Sequence, residues 1–501
     1  MQIFINLISI VLLLQVFVSN EVLRIYSPLI LSIISLSCVL LLIYHHQNIR
    51  IRFSKTNIAL AVFILLNIVL LFDSIYVTGS LSWLIFYIQC FIFFIFFQQF
   101  ASQQNLLFLS KTFVILTAIF GIFSFTNFIE IGLLSNLRLD GVVGPSGVYA
   151  GFLILPLFLS FYFIIRSHGL SKQLWYVTAS IILASLFLTF SISAWIVTGI
   201  ALIIIFIIYI QNLKPILVDK RKDLAKTILA VFLLSFVIFS GVWYFARQTM
   251  LMRDGQAMIQ ASLYEKSLEK DGFWQTRYQN LVDASTAFLR SPITGFGLGQ
   301  YAGTIQTLNL QSYSYDFGDP HNWFLKMLVE NGVISTFVFV LFIIFFFRES
   351  TKNKSVGMLY LVVLTGLLSL VLHSFTEADL SQRSVMLIWF VFAGLAYGSD
   401  WGVLGEGPIT KLPNYILLVI TLFMTIISIQ FVRADITRIK GDYYFNNKNY
   451  DYALNSYFKA LTYNSHDKET WYRLGRVYKV MNRQEQAESS FLKSKGYFPP
   501  L

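Results

Sequence analysis

The chain of 501 residues is too apolar to be a soluble protein, since 56% of its residues are hydrophobic and 13% are charged, against about 25% charged residues in ordinary soluble domains. The net charge of +11 arises mostly from basic residues between apolar segments, so it does not indicate a nucleic-acid partner. Together with a mean hydropathy of +0.67, these values predict an all-α, polytopic helical membrane protein.

Apolar runs long enough to cross a bilayer as helices, about 20 residues each, recur along the chain. They predict twelve or thirteen transmembrane helices, because the segments 57–72 and 384–398 are short for a span. The predicted spans are 3–19, 26–44, 57–72, 81–98, 105–128, 147–165, 173–191, 192–210, 227–246, 324–347, 356–374, 384–398 and 414–432. This pattern divides the chain into N-terminal transmembrane helices (1–246), a large loop (247–322), C-terminal transmembrane helices (323–432) and a polar tail (434–501).

The distribution of lysine and arginine between the predicted spans indicates their orientation, because short cytoplasmic loops carry an excess of basic residues. With the N-terminus in the cytoplasm, fifteen basic residues fall on the inner side and three, Arg24, Arg138 and Arg383, in the outer short loops. The loop 247–322 is therefore expected to be extracytoplasmic. Thirteen spans place the tail outside as well, whereas one span more or fewer would place the tail in the cytoplasm.

Two polar segments carry arginines together with glycines. The first, residues 136–147, reads Asn-Leu-Arg-Leu-Asp-Gly-Val-Val-Gly-Pro-Ser-Gly and places Arg138 just before a span. In the second, Arg277 is followed by Pro292-Ile-Thr-Gly-Phe-Gly-Leu-Gly, where alternating glycines permit unusual backbone angles and close approach to a ligand. A plain turn, and arginines that only bind lipid headgroups or loop carboxylates, are the alternatives.

The strongest candidate for chemistry is His321, which lies where the long loop meets the span at 324–347. A titratable imidazole at this boundary is suited to acid–base chemistry on a membrane-bound substrate; the alternative is a hydrogen-bonded interfacial histidine. Glu330 follows nine residues later, about 13 Å further along a helix. That distance is too long for direct pairing with His321, so we expect Glu330 to orient another helix.

The tail contains an internal repeat of 34 residues. Gly441, Tyr444, Ala453 and Tyr457 recur as Gly475, Tyr478, Ala487 and Phe491, and the second copy adds Trp471, Leu474 and Pro499. These offsets resemble those of the tetratricopeptide repeat. Two copies are fewer than the three usually needed for a stable solenoid, so we expect the tail to dock on the membrane domain or on a protein partner, or to serve only in packing.

In their observed order, the polar segments resemble the O-antigen ligase and Wzy-type polymerase superfamily over about 130–400. His321-Asn322-x-x-Leu325, followed after four residues by Glu330-x-Gly332, resembles its His-Asn signature. Residues 136–147 resemble its Arg-x-x-Gly…Pro-Asn motif with serine in place of asparagine, and the glycine-rich run resembles its Pro-x-x-Gly-x-Gly-x-Gly. The chain also resembles bacterial protein O-oligosaccharyltransferases.

The resemblance implies a metal-independent glycosyltransferase in the bacterial inner membrane. It would move a glycan from undecaprenyl diphosphate to an acceptor hydroxyl at the periplasmic face, with lipid A–core as the favoured acceptor. His321 would then be the general base, and Arg138 and Arg277 would bind the diphosphate through guanidinium groups that keep their charge. Asn322 and Glu330 would support the site.

No metal and no cofactor are expected. The two cysteines, Cys38 and Cys90, fall inside apolar spans, and the six histidines are scattered without metal-ligand spacing. The expected partners are the lipid-linked glycan, membrane lipids, the acceptor and a protein bound by the repeats.

Other functions stay open from the sequence. The acceptor could be a protein hydroxyl, as in an O-oligosaccharyltransferase, or a growing glycan, as in an O-antigen polymerase. A transporter of lipid-linked glycans is expected to show inverted repeats and broken helices, which the sequence does not show, and it would not need the long loop. A membrane scaffold that presents the repeats would leave the loop motifs without a role.

Overall fold

A computed structural model of the chain describes residues 2–17, 21–45, 49–52, 54–131, 138–141, 143–212, 218–310, 319–351, 357–377, 379–398, 409–412 and 414–496. Within these ranges the chain forms seventeen α-helices, two short strands and two single turns of 3₁₀-helix. The predicted all-α membrane fold is confirmed.

Nine helices precede the glycine-rich run. They are α1 (Gln2–Val16), α2 (Glu21–His45), α3 (Lys55–Leu70), α4 (Val77–Gln99), α5 (Gln103–Ile131), α6 (Ser146–Arg166), α7 (Gly169–Leu188), α8 (Ile192–Asn212) and α9 (Val218–Arg290). Eight more follow it, α10 (Tyr301–Thr307), α11 (Trp323–Ser350), α12 (Met358–His373), α13 (Arg383–Ala396), α14 (Asn414–Asn446), α15 (Tyr450–Tyr463), α16 (Lys468–Val480) and α17 (Gln484–Gly496). The strands β1 (Ile49–Arg52) and β2 (Ile409–Leu412) pair antiparallel.

Each predicted span coincides with a helix. Among the described residues, nine helices are long and apolar enough to cross a membrane, and four shorter apolar helices, Gln2–Val16, Ile192–Ile205, Met358–His373 and Arg383–Ala396, coincide with the remaining predictions. Among these nine long helices α6 is the most enclosed, with 89% of its most apolar stretch buried. It is apolar on all sides, as expected for a helix surrounded by other helices.

The segment predicted as a large loop is largely helical. Helix α9 continues from the span predicted at 227–246 without a break to Arg290, over 73 residues in total. No proline occurs between Val218 and Arg290, and Pro292 follows the helix end, where a proline disfavours continuation of the helix. Residues 311–318 of the predicted loop lie outside the described residues.

The tail forms two helix pairs with equivalent contacts. A side chain at Gly441 would lie 2.5 Å from the ring of Tyr457, and one at Gly475 would lie 2.6 Å from the ring of Phe491. Gly475 and Phe491 each follow their counterparts, Gly441 and Tyr457, by 34 residues in the sequence, so the repeat is also structural. The tetratricopeptide assignment stays a prediction, and its Pro499 lies outside the described residues.

The tail is continuous with the membrane part and docks on it. Helix α14 begins in the last predicted span and ends as the first helix of the repeats. At the start of α16, the Lys468 ammonium lies 5.3 Å from the ring centroid of Tyr76, the residue before α4. The tail therefore lies at the end of the bundle where α3 ends and α4 begins.

Candidate active site

His321 lies in the short connection 319–322 directly before α11. The next residue, Asn322, caps α11 by accepting the N–H of Leu325 at 3.0 Å. The Asn322 amide also donates to the carbonyl of Phe375 at 2.9 Å. Asn322 thus fastens the start of α11 to the segment that follows α12, and so fixes the position of the neighbouring imidazole.

The backbone of His321 is held in the left-handed region, with φ of 53°. Its N–H donates to Oδ1 of Asp319 at 2.8 Å, and Lys326 Nζ lies 3.4 Å from the other oxygen of that carboxylate. Few residues other than glycine adopt this conformation, which costs free energy and persists where the surroundings impose it, often at functional sites.

Glu377 joins His321 to Arg277. Its Oε2 lies 3.0 Å from His321 Nδ1, and its Oε1 lies 2.5 Å from Arg277 Nη2. Arg277 Nη1 also donates to the carbonyl of Thr376 at 2.7 Å. The side chain of Glu377 is 9% exposed and that of His321 34% exposed, so the carboxylate is enclosed while the imidazole is accessible.

These contacts set the ionisation of the pair. Burial alone would raise the pKa of Glu377, but the hydrogen bond from His321 and the charge of Arg277 outweigh it and lower that pKa to about 2. The hydrogen bond to Glu377 raises the pKa of His321 above its usual value, against the opposing effect of burial. The carboxylate therefore accepts the proton carried by Nδ1, which leaves Nε2 as the basic nitrogen of the neutral imidazole.

A second histidine–carboxylate pair lies buried beside the first. His373 Nδ1 is 2.5 Å from Asp379 Oδ2, and its Nε2 is 3.0 Å from Ser193 Oγ. Burial raises the pKa of Asp379 to about 6, although His373 opposes the shift. A side chain at Gly147 of α6 would lie 2.7 Å from Glu377 Oε2, and one at Gly151 would overlap Asp379. Both carboxylates therefore pack against glycines one turn apart on α6.

The glycine-rich run 291–300 fills a break in α11. At Gly332 the backbone angles are φ 66° and ψ 179°, a region that is essentially restricted to glycine. Two carbonyl groups before the break accept hydrogen bonds from the run, Val329 from the N–H of Phe296 at 3.0 Å and Glu330 from that of Gly297 at 2.8 Å.

The alternating glycines pack closely against other segments of the chain. A side chain at Gly295 would lie 2.5 Å from the carbonyl carbon of Glu330, and one at Gly299 would overlap the ring of Trp83. The sequence-based interpretation, close approach to a ligand, is therefore replaced by close packing between this run, α11 and α4.

Glu330 holds the end of the glycine-rich run. Its buried Oε1 accepts the N–H of Tyr301, the first residue of α10, at 3.2 Å. The carboxylate thus binds a helix N-terminus, where negative charge is favourable. Its position is consistent with a supporting role, and the carboxylate that contacts the imidazole of His321 is Glu377.

Arg138 lies in the segment before α6. The Asp140 carboxylate accepts the N–H of Ser146 at 2.8 Å, and the N–H of Leu139 donates to Leu188 at 2.8 Å. Within the described part of the chain, no hydrogen bond or ion pair joins Arg138 to His321 or Glu377. Asn136, Leu137 and Val142 of this motif lie outside the described residues.

The structure brings His321 and Arg277 together through Glu377, a residue that the sequence did not single out. Glu377 and Asp379 belong to the connection between the spans predicted at 356–374 and 384–398. Two carboxylates in one short connection, close after a histidine at the end of a span and on the same predicted side as His321, are the signal that could have identified Glu377.

Comparison with known proteins identifies part of the chain. Residues 177–340 match the family model described as O-antigen ligase. The match includes Arg277, the glycine-rich run and His321, and it ends before Glu377. No curated protein matches the chain. Over residues 177–340 this multi-pass membrane protein is therefore similar to O-antigen ligases, a family of glycosyltransferase-like enzymes.

Proposed function

We propose that the protein is an O-antigen ligase that moves a glycan from undecaprenyl diphosphate to a hydroxyl of lipid A–core at the periplasmic face of the inner membrane. The observation that supports this proposal is the chain of contacts Arg277–Glu377–His321. A buried carboxylate orients an accessible imidazole, as in other sites that remove a proton from a hydroxyl.

In the proposed reaction, His321 Nε2 accepts the proton of the acceptor hydroxyl while the acceptor oxygen forms a bond to the anomeric carbon of the glycan. The bond from that carbon to the diphosphate oxygen breaks, and undecaprenyl diphosphate leaves with the electron pair. Glu377 remains ionised throughout and stabilises the imidazolium that forms, consistent with its low pKa.

The leaving diphosphate needs positive charge close to the reacting centre. Arg277 is suited to this role because its side chain is 26% exposed beside Glu377, and a guanidinium binds phosphate oxygens in pairs. We assign Arg138 to the same role. Its segment is tied to the first turn of α6 through Asp140, and that turn contacts Glu377 at Gly147.

Transfer to a protein hydroxyl is the second candidate, and the docked tail favours it. The connection beside Tyr76, on which Lys468 of the tail packs, also contacts the glycine-rich run through the N–H of Ile75 and the carbonyl of Phe296 at 3.1 Å. The tail is thus linked to the same end of the bundle as the site, where it could hold a protein acceptor or partner.

Deletion of the protein in its host distinguishes these functions. Loss of the whole lipopolysaccharide ladder with an intact core indicates a ligase, whereas a single-unit band indicates a polymerase. Loss of glycoprotein with a normal ladder indicates transfer to protein. The matching assay combines the purified chain, a glycan on undecaprenyl diphosphate and each acceptor; if no acceptor receives glycan, the proposed transfer is wrong.

A further inference from the structure

A cavity of ≈ 300 Å³ lies apart from the His321 cluster, between the end of α1 and the starts of α2, α4 and α13. None of His321, Arg277 and Glu377 lines it. Apolar side chains on the helices form part of its wall, and polar side chains at the helix ends form the rest. They are Gln15, Val16, Ser27, Pro28, Leu31, Trp83, Phe86, Val143, Ser381, Gln382, Arg383, Ser384 and Leu387.

Arg383 places a positive charge in the wall of this cavity. Its guanidinium carbon lies 4.5 Å from the ring centroid of Trp83 and 5.5 Å from that of Phe86, and Nη2 donates to Ser82 Oγ at 2.9 Å. Among the described residues, no carboxylate forms an ion pair with Arg383. A cation enclosed among spanning helices is unfavourable unless an anion compensates it, and aromatic stacking supplies only part of that compensation.

Two further polar groups of the cavity wall have unused hydrogen-bonding capacity. Gln15 Nε2 and Ser381 Oγ are buried atoms with no hydrogen-bond partner in the described part of the chain, and the Ser381 residue is 8% exposed. Buried donors without partners are costly. The guanidinium, the amide and the hydroxyl together offer the donors that phosphate oxygens accept, and charge assistance strengthens such bonds.

We infer that this cavity binds the phosphate-bearing headgroup of a membrane amphiphile. Val16, Leu31 and Leu387 supply an apolar wall beside the polar groups, as an amphiphile requires, and all the contributing helices are predicted spans. A membrane glycerophospholipid and a polyprenyl phosphate both present this chemistry. The inference does not depend on the proposed transfer reaction, because it concerns binding at residues separate from His321.

The test uses the full chain, purified and delipidated in an uncharged detergent, with its Tm measured during titration of four probes. The probes are phosphatidylglycerol, undecaprenyl phosphate, uncharged diacylglycerol and inorganic phosphate. Arg383→Gln removes the charge but keeps a donor for Ser82. Ser82→Asp places a carboxylate at the position that already contacts the guanidinium, and Ser82→Ala is its uncharged control.

We expect at least one phosphate-bearing amphiphile to raise the Tm of the wild type and of Ser82→Ala by several degrees in a saturable way, and diacylglycerol to have no such effect. Arg383→Gln and Ser82→Asp should lose the response, the second because it carries an internal counter-ion. The amphiphile with the larger effect identifies the source of the phosphate. No response of the wild type, an equal response of Ser82→Asp, or equal stabilisation by inorganic phosphate would overturn the inference. If Arg383→Gln does not fold, the comparison of Ser82→Asp with Ser82→Ala still tests the inference.

Discussion

Glu377 Oε2 lies 3.0 Å from His321 Nδ1, although 56 residues separate the two in the sequence. The contact joins the connection before α11 to the segment that follows α12. It brings a carboxylate with a pKa of about 2 against the imidazole that the sequence identifies as the candidate base. The first three predictions depend on this pair and on Arg277, which contacts the same carboxylate.

Replacement of His321 should abolish transfer without unfolding the protein. We choose His321→Asn because asparagine tolerates the left-handed backbone better than most residues, and φ is 53° at this position. Loss of a general base lowers the rate on the order of 10²–10⁴-fold. The measurement is transfer by purified protein at equal Tm, with the exposed His168→Asn as the control. Wild-type transfer by His321→Asn would exclude the proposed mechanism.

The pH dependence of transfer should report the His321–Glu377 contact. The hydrogen bond to Glu377 raises the pKa of His321, and a general base acts in its deprotonated form. The rate should therefore rise with pH through that raised pKa. Glu377→Gln removes the negative charge, so the pKa of His321 should fall and the rising limb should move to lower pH, with a lower maximal rate. Glu377→Asp keeps the charge and should shift the limb less. An unchanged profile in Glu377→Gln would show that this histidine does not limit the rate.

Arg277 and Arg138 should differ in what they control. Arg277→Lys replaces a planar group that contacts both Glu377 and the carbonyl of Thr376 with a single ammonium, so it should weaken donor binding and shift the pH profile. Arg138→Lys should weaken donor binding alone, because the structure does not join Arg138 to His321 or Glu377. The measurements are the donor KM and the pH profile of each variant. The same shift of the pH profile in both variants would contradict this difference between the two arginines.

The fold was largely predictable because hydropathy reports burial in lipid directly, and all thirteen predicted spans coincide with helices. The 34-residue repeat was also visible, since Gly441 and Gly475 each need an aromatic partner in the next helix. The continuation of α9 to Arg290 was not predicted, because this polar part of the helix has no apolar run to mark it. Glu377 was missed for another reason: its contact depends on where the start of α11 and the end of α12 lie in the bundle, which local spacing does not encode.

The break in α11 should require glycine at position 332. The backbone angles there, φ 66° and ψ 179°, are strained for any other residue, and a side chain would overlap the carbonyl oxygen of Ile293. Gly332→Ala should destabilise the protein by more than about 1 kcal/mol, seen as a lower Tm and less monodisperse protein in detergent.

The control for this variant is Gly199→Ala in α8, where a new side chain meets nothing within 4 Å. Alanine in a helix is more favourable than glycine by roughly 0.5–1 kcal/mol, so the control should match or exceed the wild-type Tm. Equal Tm values for Gly332→Ala and the wild type would show that the break is not imposed by the docked glycine-rich run.

The repeat helices should matter more for the acceptor than for the donor. Truncation after Asn446 removes α15–α17 but leaves α14 whole, and the spans satisfy their own backbone hydrogen bonds, so the shortened protein should still insert. Arg277, Glu377 and His321 are all retained, so binding of the lipid-linked donor should be close to wild type. Transfer to the natural acceptor should fall, because the removed helices include Lys468, which packs on Tyr76 at the end of the bundle linked to the glycine-rich run.

The measurements are donor affinity and transfer rate on the same preparation, with Lys468→Ala as the variant that weakens docking alone. Loss of donor binding with normal use of the acceptor would mean that the tail stabilises the active site itself, and recruitment of an acceptor or partner would then be the wrong explanation.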